Sequence, residues 1–263
     1  MKKIDKIVED YRKQLILYAR DLTRVVVEEK DARRLSDNLR KQLNRYALDF
    51  RTVYNELFKS YDDLKEAHLE TIHRLSVAAE YRDKDTAMHL KRMSNYSALI
   101  ARRMGLSDKE ANLILYGSPM HDVGKIGIPD DILFKQGRLT AEEFEIMKTH
   151  AEIGARILAG SKAEVIQMAE RIAMSHHEKW NGSGYPNGLK GEDIPLVGRI
   201  TAIADVFDAL TTRRPYKPAF PNEKAYSIIR KEKGSHFDPK VVEVFFRNLG
   251  EIVAIQQRFQ EAE

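Results

Sequence analysis

Apolar residues open the chain at alternating spacings of four and three: Ile4, Val8, Tyr11, Leu15, Tyr18, Leu22 and Val25. After a polar stretch at 28–34 the rhythm resumes with Leu39, Leu43, Tyr46, Phe50, Val53, Leu57 and Leu64. Charges fill the other positions, and neither helix breaker interrupts the region, since the first glycine is Gly105 and the first proline Pro119. A stripe so narrow and long predicts a coiled-coil helix, lying parallel to a second copy, that dimerises and transmits a signal. Near Leu35 and Tyr61 the register reads as slipping, as a stutter would produce. The competing arrangement is an amphipathic helix folded back on its own domain as a hairpin. Either supplies the partner that a wet stripe needs.

From about residue 72 the pattern changes. Segments 71–104, 107–118, 140–159, 162–177, 196–212 and 222–232 read as helices, and Asp238-Pro239 opens another, with Asp as N-cap and Pro at the first helical position. The stretches 123–139 and 178–195 hold seven of the 14 glycines and three of the eight prolines and read as loops. No segment shows sustained sheet-like alternation. The expected fold is all-α: a helical signalling and dimerisation region over 1–71, a catalytic domain over 72–250 and a C-terminal tail over 251–263.

Composition alters this picture little. The 32% of charged residues suits a long solvated helix, and the 43% of hydrophobic residues suits a proper core. A net charge of +4 is the small difference between 44 basic and 40 acidic residues, so nucleic acid is not implied. The absence of cysteine excludes disulfides, thiolate metal sites and cysteine nucleophiles. No apolar run nears the ~20 residues that span a bilayer. The opening MKKIDKIVED has lysines but no apolar segment after them, so a soluble cytoplasmic protein with no membrane partner is expected.

Candidate chemistry lies in two neighbouring pairs, His121-Asp122 and His176-His177, each beside a glycine-marked turn. Asp85, His89, His150 and Asp205 are spread over helical segments around them. Taken singly these are weak signals. Asp85 and His89 share a helix face, a common solvated pattern, and a lone His150 on an amphipathic helix is more often a core residue. Asp205 and Asp208 interrupt an apolar helix and need charged partners if buried; a metal would serve Asp205, with Asp208 supporting it or acting as a further ligand. Asp122 has two oxygens and can bridge two ions, while Lys125 can neutralise a phosphate oxygen. Together the residues predict two or three metal ions and phosphate-ester hydrolysis by a metal-bound hydroxide. His68, His73 and His236 are expected to be structural or solvated.

Residues from about 72 to 245 closely resemble the HD-GYP family of HD phosphohydrolases. The resemblance is carried by AAEYRDKDTAMH (78–89), HDVGKIGIPD (121–130), the segment 133–158, HHEKWNGSGYP (176–186) with its continuation to 200, ADVFDALTTRRPYK (204–217) and GSHFDP (234–239). It implies an all-helical domain that hydrolyses cyclic di-GMP to pGpG and GMP. It also implies metal ligands at His89, His121, Asp122, His150, His176, His177 and Asp205, holding two ions, usually iron or manganese. Some members hold a third ion through a glutamate four residues before the first histidine; this chain has Asp85 there, one methylene shorter, and Ala87 where glycine is usual. Lys125, Tyr185 beside Gly184, Arg214 and Lys217 match positions that contact the dinucleotide, and Asp208 is counted with this substrate set. Arg214 can fork onto phosphate or a guanine edge, and Lys217 offers a point charge.

Two functions of different kinds compete. One is an active cyclic di-GMP phosphodiesterase whose rate is set through the N-terminal helix. The other is an inactive module that binds cyclic di-GMP and signals through dimer or partner-protein contacts. Retention of every core ligand favours the first. A hydrolase for cyclic GMP-AMP or other nucleotides is a third reading, and the GYP loop argues for a cyclic dinucleotide.

Overall fold

The computed structural model describes residues 2–80, 87–213 and 218–260. Asp85, Arg214 and Lys217 lie outside the described residues. Among those described the chain is all-α and forms no strand. It divides into two compact units, Met1–Glu66 and Ala67–Glu263.

The first unit belongs to α1 (Lys2–Glu80), a helix without interruption. Its apolar stripe is exposed, with Leu22 at 71% and Phe50 at 73%. Surface pairs such as Arg33–Glu29 at 2.6 Å add only a few tenths of a kcal/mol. Counted along one continuous helix, Leu39 to Leu64 keep the heptad frame of Leu15 to Val25. Leu35 and Tyr61 flank the stripe, so the register does not slip.

The second unit begins with the last turns of α1, where Ile72, Ser76 and Ala79 are buried at spacings of four and three. At its centre lies α2 (Ala87–Arg103), whose Leu90, Met93, Tyr96 and Ile100 are fully buried. Against it pack α3 (Asp108–Gly117) and α8 (Leu196–Thr211), with the Tyr96 and Phe207 rings edge-to-face at 5.4 Å. Ile229, Phe245 and Ile252 close this core from α9 (Asn222–Lys231), α10 (Pro239–Arg247) and α11 (Leu249–Arg258). A second core joins Ile72 and Met120 to Leu158 of α6 (His150–Leu158) and to Val165, Ala169 and Ala173 of α7 (Glu164–Ser175).

Local signals explain the boundaries. Ser107 with Glu110, and Thr140 with Glu143, form capping boxes that start α3 and α5 (Ala141–Lys148). Asp238 caps α10 with Pro239 after it, as the sequence predicts. The helix expected over 140–159 instead breaks at Thr149, which caps α5, and its hydroxyl bonds to Ile146 O at 2.7 Å. The helix expected over 71–104 takes in the end of α1 and all of α2. The loop 123–139 holds a 3-10 turn at Val123–Gly127 and the short α4 (Asp130–Leu133). The expected tail from 251 is mostly α11, anchored by fully buried Ile252. No described helix is long and apolar enough to cross a membrane.

Candidate metal centre

Four helices and one tight turn converge. His89 comes from α2, His150 from the start of α6, His176 from the C-cap of α7 and Asp205 from α8. His121 ends the 3-10 turn Ser118–Met120, and Asp122 follows it with φ −105° and ψ 11°, in the sparsely populated bridge region. Gly124 makes the turn fit, because a Cβ there would strike His150 O and the backbone of Gly154. That close approach sets Asp122 beside His150.

The imidazoles are held in one tautomer. Nδ1 of His121 lies 3.1 Å from Ser118 O, that of His150 2.7 Å from Met147 O, and that of His176 3.1 Å from both Ile172 O and Ala173 O. A carbonyl only accepts, so each Nδ1 donates and each neutral ring offers a lone pair at Nε2. His89 donates likewise, from Nδ1 to Asp208 Oδ2 at 2.8 Å.

Two sets result. Ligand atoms of Asp122, His150, His176 and His177 lie within 4.8 Å of one another, as do those of His89, His121 and Asp205. Asp122 stands between the sets. Its Oδ1 is 3.1 Å from His150 Nε2 and 3.4 Å from His176 Nε2, while Oδ2 is 3.2 Å from His121 Nε2. Asp122 Oδ1 and the Nε2 atoms of His150 and His176 are buried without a hydrogen bond. An unsatisfied buried polar atom normally costs about 1–3 kcal/mol. Neutral nitrogens and carboxylate oxygens converging this way are a donor set that fits divalent cations. The clusters can therefore hold metal ions.

Charge agrees with that use. Burial opposes ionisation of Asp122, but Lys125 and His121 outweigh it and hold the carboxyl well below its usual range. Burial pushes His176 down, against the pull of Asp122, and pushes His177 well down with help from His176. Both rings are thus neutral and ready to ligate. Burial also favours the neutral form of Asp208, yet hydrogen bonds from His89 and Arg92 keep it ionised.

The remaining candidates take varied places. Lys125 Nζ sits 2.6 Å from Asp122 Oδ2, beside the cluster. Tyr185 stacks on His177 at 4.6 Å between ring centroids, with Phe144 edge-on at 6.2 Å. Burial raises its phenol, which therefore stays a donor. Gly184 serves packing, since a Cβ there would meet the backbone of His177, Glu178 and Lys179. Asp208, counted with the substrate set, lies behind His89. It is fully buried, and its oxygens are taken by His89, Arg92 and Thr212. It orients His89 from behind.

Two residues escaped the sequence reading. Arg92 forks onto Asp208 at 2.7 and 3.0 Å and donates to Phe259 O at 2.9 Å. Its position three residues after His89, one turn along α2, is the signal that could have found it. Glu178 is 2% exposed and accepts from Asn187 N at 2.7 Å and Leu189 N at 3.0 Å, pinning the loop that carries Tyr185. An acid directly after two ligands, before a glycine-rich loop, was legible as such a pin.

Known proteins resemble this arrangement. The 3'3'-cGAMP-specific phosphodiesterase 2 of Vibrio cholerae is 47% identical over 194 residues, covering 74% of this chain and 37% of the relative. The cyclic di-GMP phosphodiesterase of Thermotoga maritima is also 47% identical, over 203 residues, covering 77% of this chain and 54% of the relative. The chain thus spans about half or less of these relatives' length. Among solved structures, a cyclic GMP-AMP specific phosphodiesterase of V. cholerae superposes with a TM-score of 0.55 at 26% identity, covering 74% of this chain and 51% of that one. A family model described as HD domain matches residues 65–241, about two thirds of the sequence and every residue of the cluster, so the chain belongs to the HD domain family.

Proposed function

We propose that the chain is a metal-dependent phosphodiesterase for cyclic dinucleotides, with cyclic di-GMP, opened to pGpG and then GMP, as its first substrate. One observation carries this reading: Asp122 lies between two His-containing ligand sets whose Nε2 lone pairs face inward. His150, His176 and His177 would hold one ion and His89, His121 and Asp205 the other, with Asp122 offering an oxygen to each. Iron or manganese suits that mixture of imidazole and carboxylate. Such ions would supply Lewis-acid activation of water and of the phosphoryl oxygens. Lys125 brings a positive charge to the edge where negative charge grows on the phosphoryl oxygens. Tyr185 presents a protonated phenol and an aromatic face to the nucleotide. Arg214 and Lys217 complete the proposed substrate contacts, and Asp85 offers a further ligand for a third ion.

The reading extends to organisation. Residues 1–71 form the signalling region, through which the chain pairs as a homodimer and answers a regulatory protein in the cytoplasm, and the catalytic domain runs over 72–250. Cyclic GMP-AMP is the second substrate reading, favoured by a relative of equal identity that is named for it. The test is turnover of both dinucleotides by the purified full chain, loaded with Mn(II) or Fe(II) under reducing conditions and followed by nucleotide chromatography. Formation of pGpG and GMP at the higher rate supports the proposal, and faster cyclic GMP-AMP cleavage moves the assignment to that substrate. Tight retention without cleavage under every metal refutes an enzyme and leaves a sensor.

A further inference from the structure

We propose that the first unit pairs with a second copy as a parallel, in-register, two-stranded coiled coil with a weak segment at 29–36. This rests on the homodimer proposed above and is independent of the phosphodiesterase reading. The frame is continuous in α1: Leu15, Leu22, Glu29, Ser36, Leu43, Phe50, Leu57 and Leu64 hold the a positions, and Tyr18, Val25, Ala32, Leu39, Tyr46, Val53 and Ser60 the d positions. The large apolar members are 56–73% exposed. A two-stranded seam is the partner that such a narrow stripe fits, and a second copy presents the same frame.

Charge on the flanks chooses the direction. From Gln14 to Asp63 the g positions carry Asp21, Glu28, Asp49, Glu56 and Asp63 and no cation. From Arg12 to Tyr61 the e positions carry Arg12, Arg33 and Arg40 and no acid. Parallel helices set each g against the partner's e five residues on, which places Glu28 opposite the partner's Arg33. The same step places Asp49 and Glu56 opposite the hydroxyl-bearing Tyr54 and Tyr61 of the partner. Antiparallel helices set g against g and e against e, so acids would face acids. Like charges at these positions disfavour a pairing, and e and g residues set orientation.

The seam is uneven. Glu29, Ala32 and Ser36 form three consecutive layers without a large apolar side chain, while every other layer from Leu15 to Leu64 except Ser60 has Leu, Val, Tyr or Phe. Two Glu29 carboxylates would meet at one layer, each already held by its own Arg33 at 2.6 Å. A polar layer costs stability and fixes register. The dimer would open first there.

Because the chain has no cysteine, single cysteines report the pairing cleanly. In the full chain, Ser36→Cys and Ser60→Cys should each form a covalent dimer on mild oxidation, and outward-facing Lys41→Cys should not. Light scattering should give the mass of a dimer. Glu28→Arg should weaken self-association by about fivefold, and adding Arg33→Glu should restore it. A monomer overturns both the dimer and its direction. Cross-links that form only between two different variants, or a Glu28→Arg chain that associates more tightly, overturn the direction. Each of these outcomes leaves the phosphodiesterase reading intact.

Discussion

Asp208→Asn strips a charge from behind the metal centre with almost no change of shape. The carboxylate meets His89 Nδ1 at 2.8 Å, Arg92 Nε at 2.7 Å and Arg92 Nη2 at 3.0 Å. An amide has one accepting oxygen, so its NH2 must face a donor on one side. Arg92, only 4% exposed, then loses the carboxylate on which its guanidinium forks. Removing one partner of a buried pair costs about 3–5 kcal/mol. At about 2–4 °C per kcal/mol for a unit of this size, the melting temperature should fall by roughly 10 °C. His89 Nδ1 is left with at best a neutral amide oxygen in place of a carboxylate, a weaker hold that lowers metal affinity about 10–100-fold. The two effects come apart in Arg92→Met with Asp208→Leu, because replacing both charges by apolar side chains is near neutral for stability, yet His89 no longer has Asp208 as its acceptor. Calorimetric melting of the metal-free chain reads the first effect, and metal titration reads the second. Since His89 shares its set with His121 and Asp205, one binding step should weaken while the other keeps its affinity. An Asp208→Asn chain that binds both ions like the parent refutes the reasoning. So does a double variant that recovers affinity together with stability.

Three further outcomes are expected. Gly184→Ala forces a Cβ into the backbone of residues 177–179, so the Tyr185 loop must move. Stability should drop by about 1–3 kcal/mol in urea unfolding, and dinucleotide turnover should fall with it. Glu178→Gln removes charge from two backbone hydrogen bonds without touching the ligand sets; KM should rise more than kcat falls, with bound metal unchanged by elemental analysis. His236 is pushed down to about 4, chiefly by burial and then by Lys179. Its stabilisation is complete above pH 6.5 and is lost as pH falls from there toward 4, by at most about 1.4 kcal/mol per unit and less for a partly exposed ring. His236→Gln should flatten that acid limb, and an unchanged difference between urea midpoints at pH 7 and 5.5 would count against it.

Much of the helical plan was legible because its signals are local. Ser107, Thr140 and Asp238 mark helix starts by their own chemistry, and the structure uses all three as caps. The stripe on α1 was legible for the same reason, although Leu35 and Tyr61 looked like slips until one continuous helix fixed the count. Three features depended on distant packing and were not legible. Thr149 breaks a segment whose periodicity runs straight through it. Ile252 turns an expected tail into core. Asp208, three residues from Asp205, is drawn to Arg92 and His89 on α2.

The centre is built from helix ends, which is why its support was hard to foresee. The acceptors that hold His121, His150 and His176 are carbonyls of Ser118, Met147, Ile172 and Ala173, each three or four residues earlier in the last turn of a helix. Ser118 O and Ile172 O already accept the backbone N–H of His121 and His176, and an imidazole N–H takes the second lone pair, so these added bonds orient the rings. At the Thr149 break, Met147 O accepts the Nδ1–H of His150, and that bond aims His150 Nε2 toward Asp122. A periodic pattern reports which face of a helix is apolar, but a centre of this kind depends on where each helix stops.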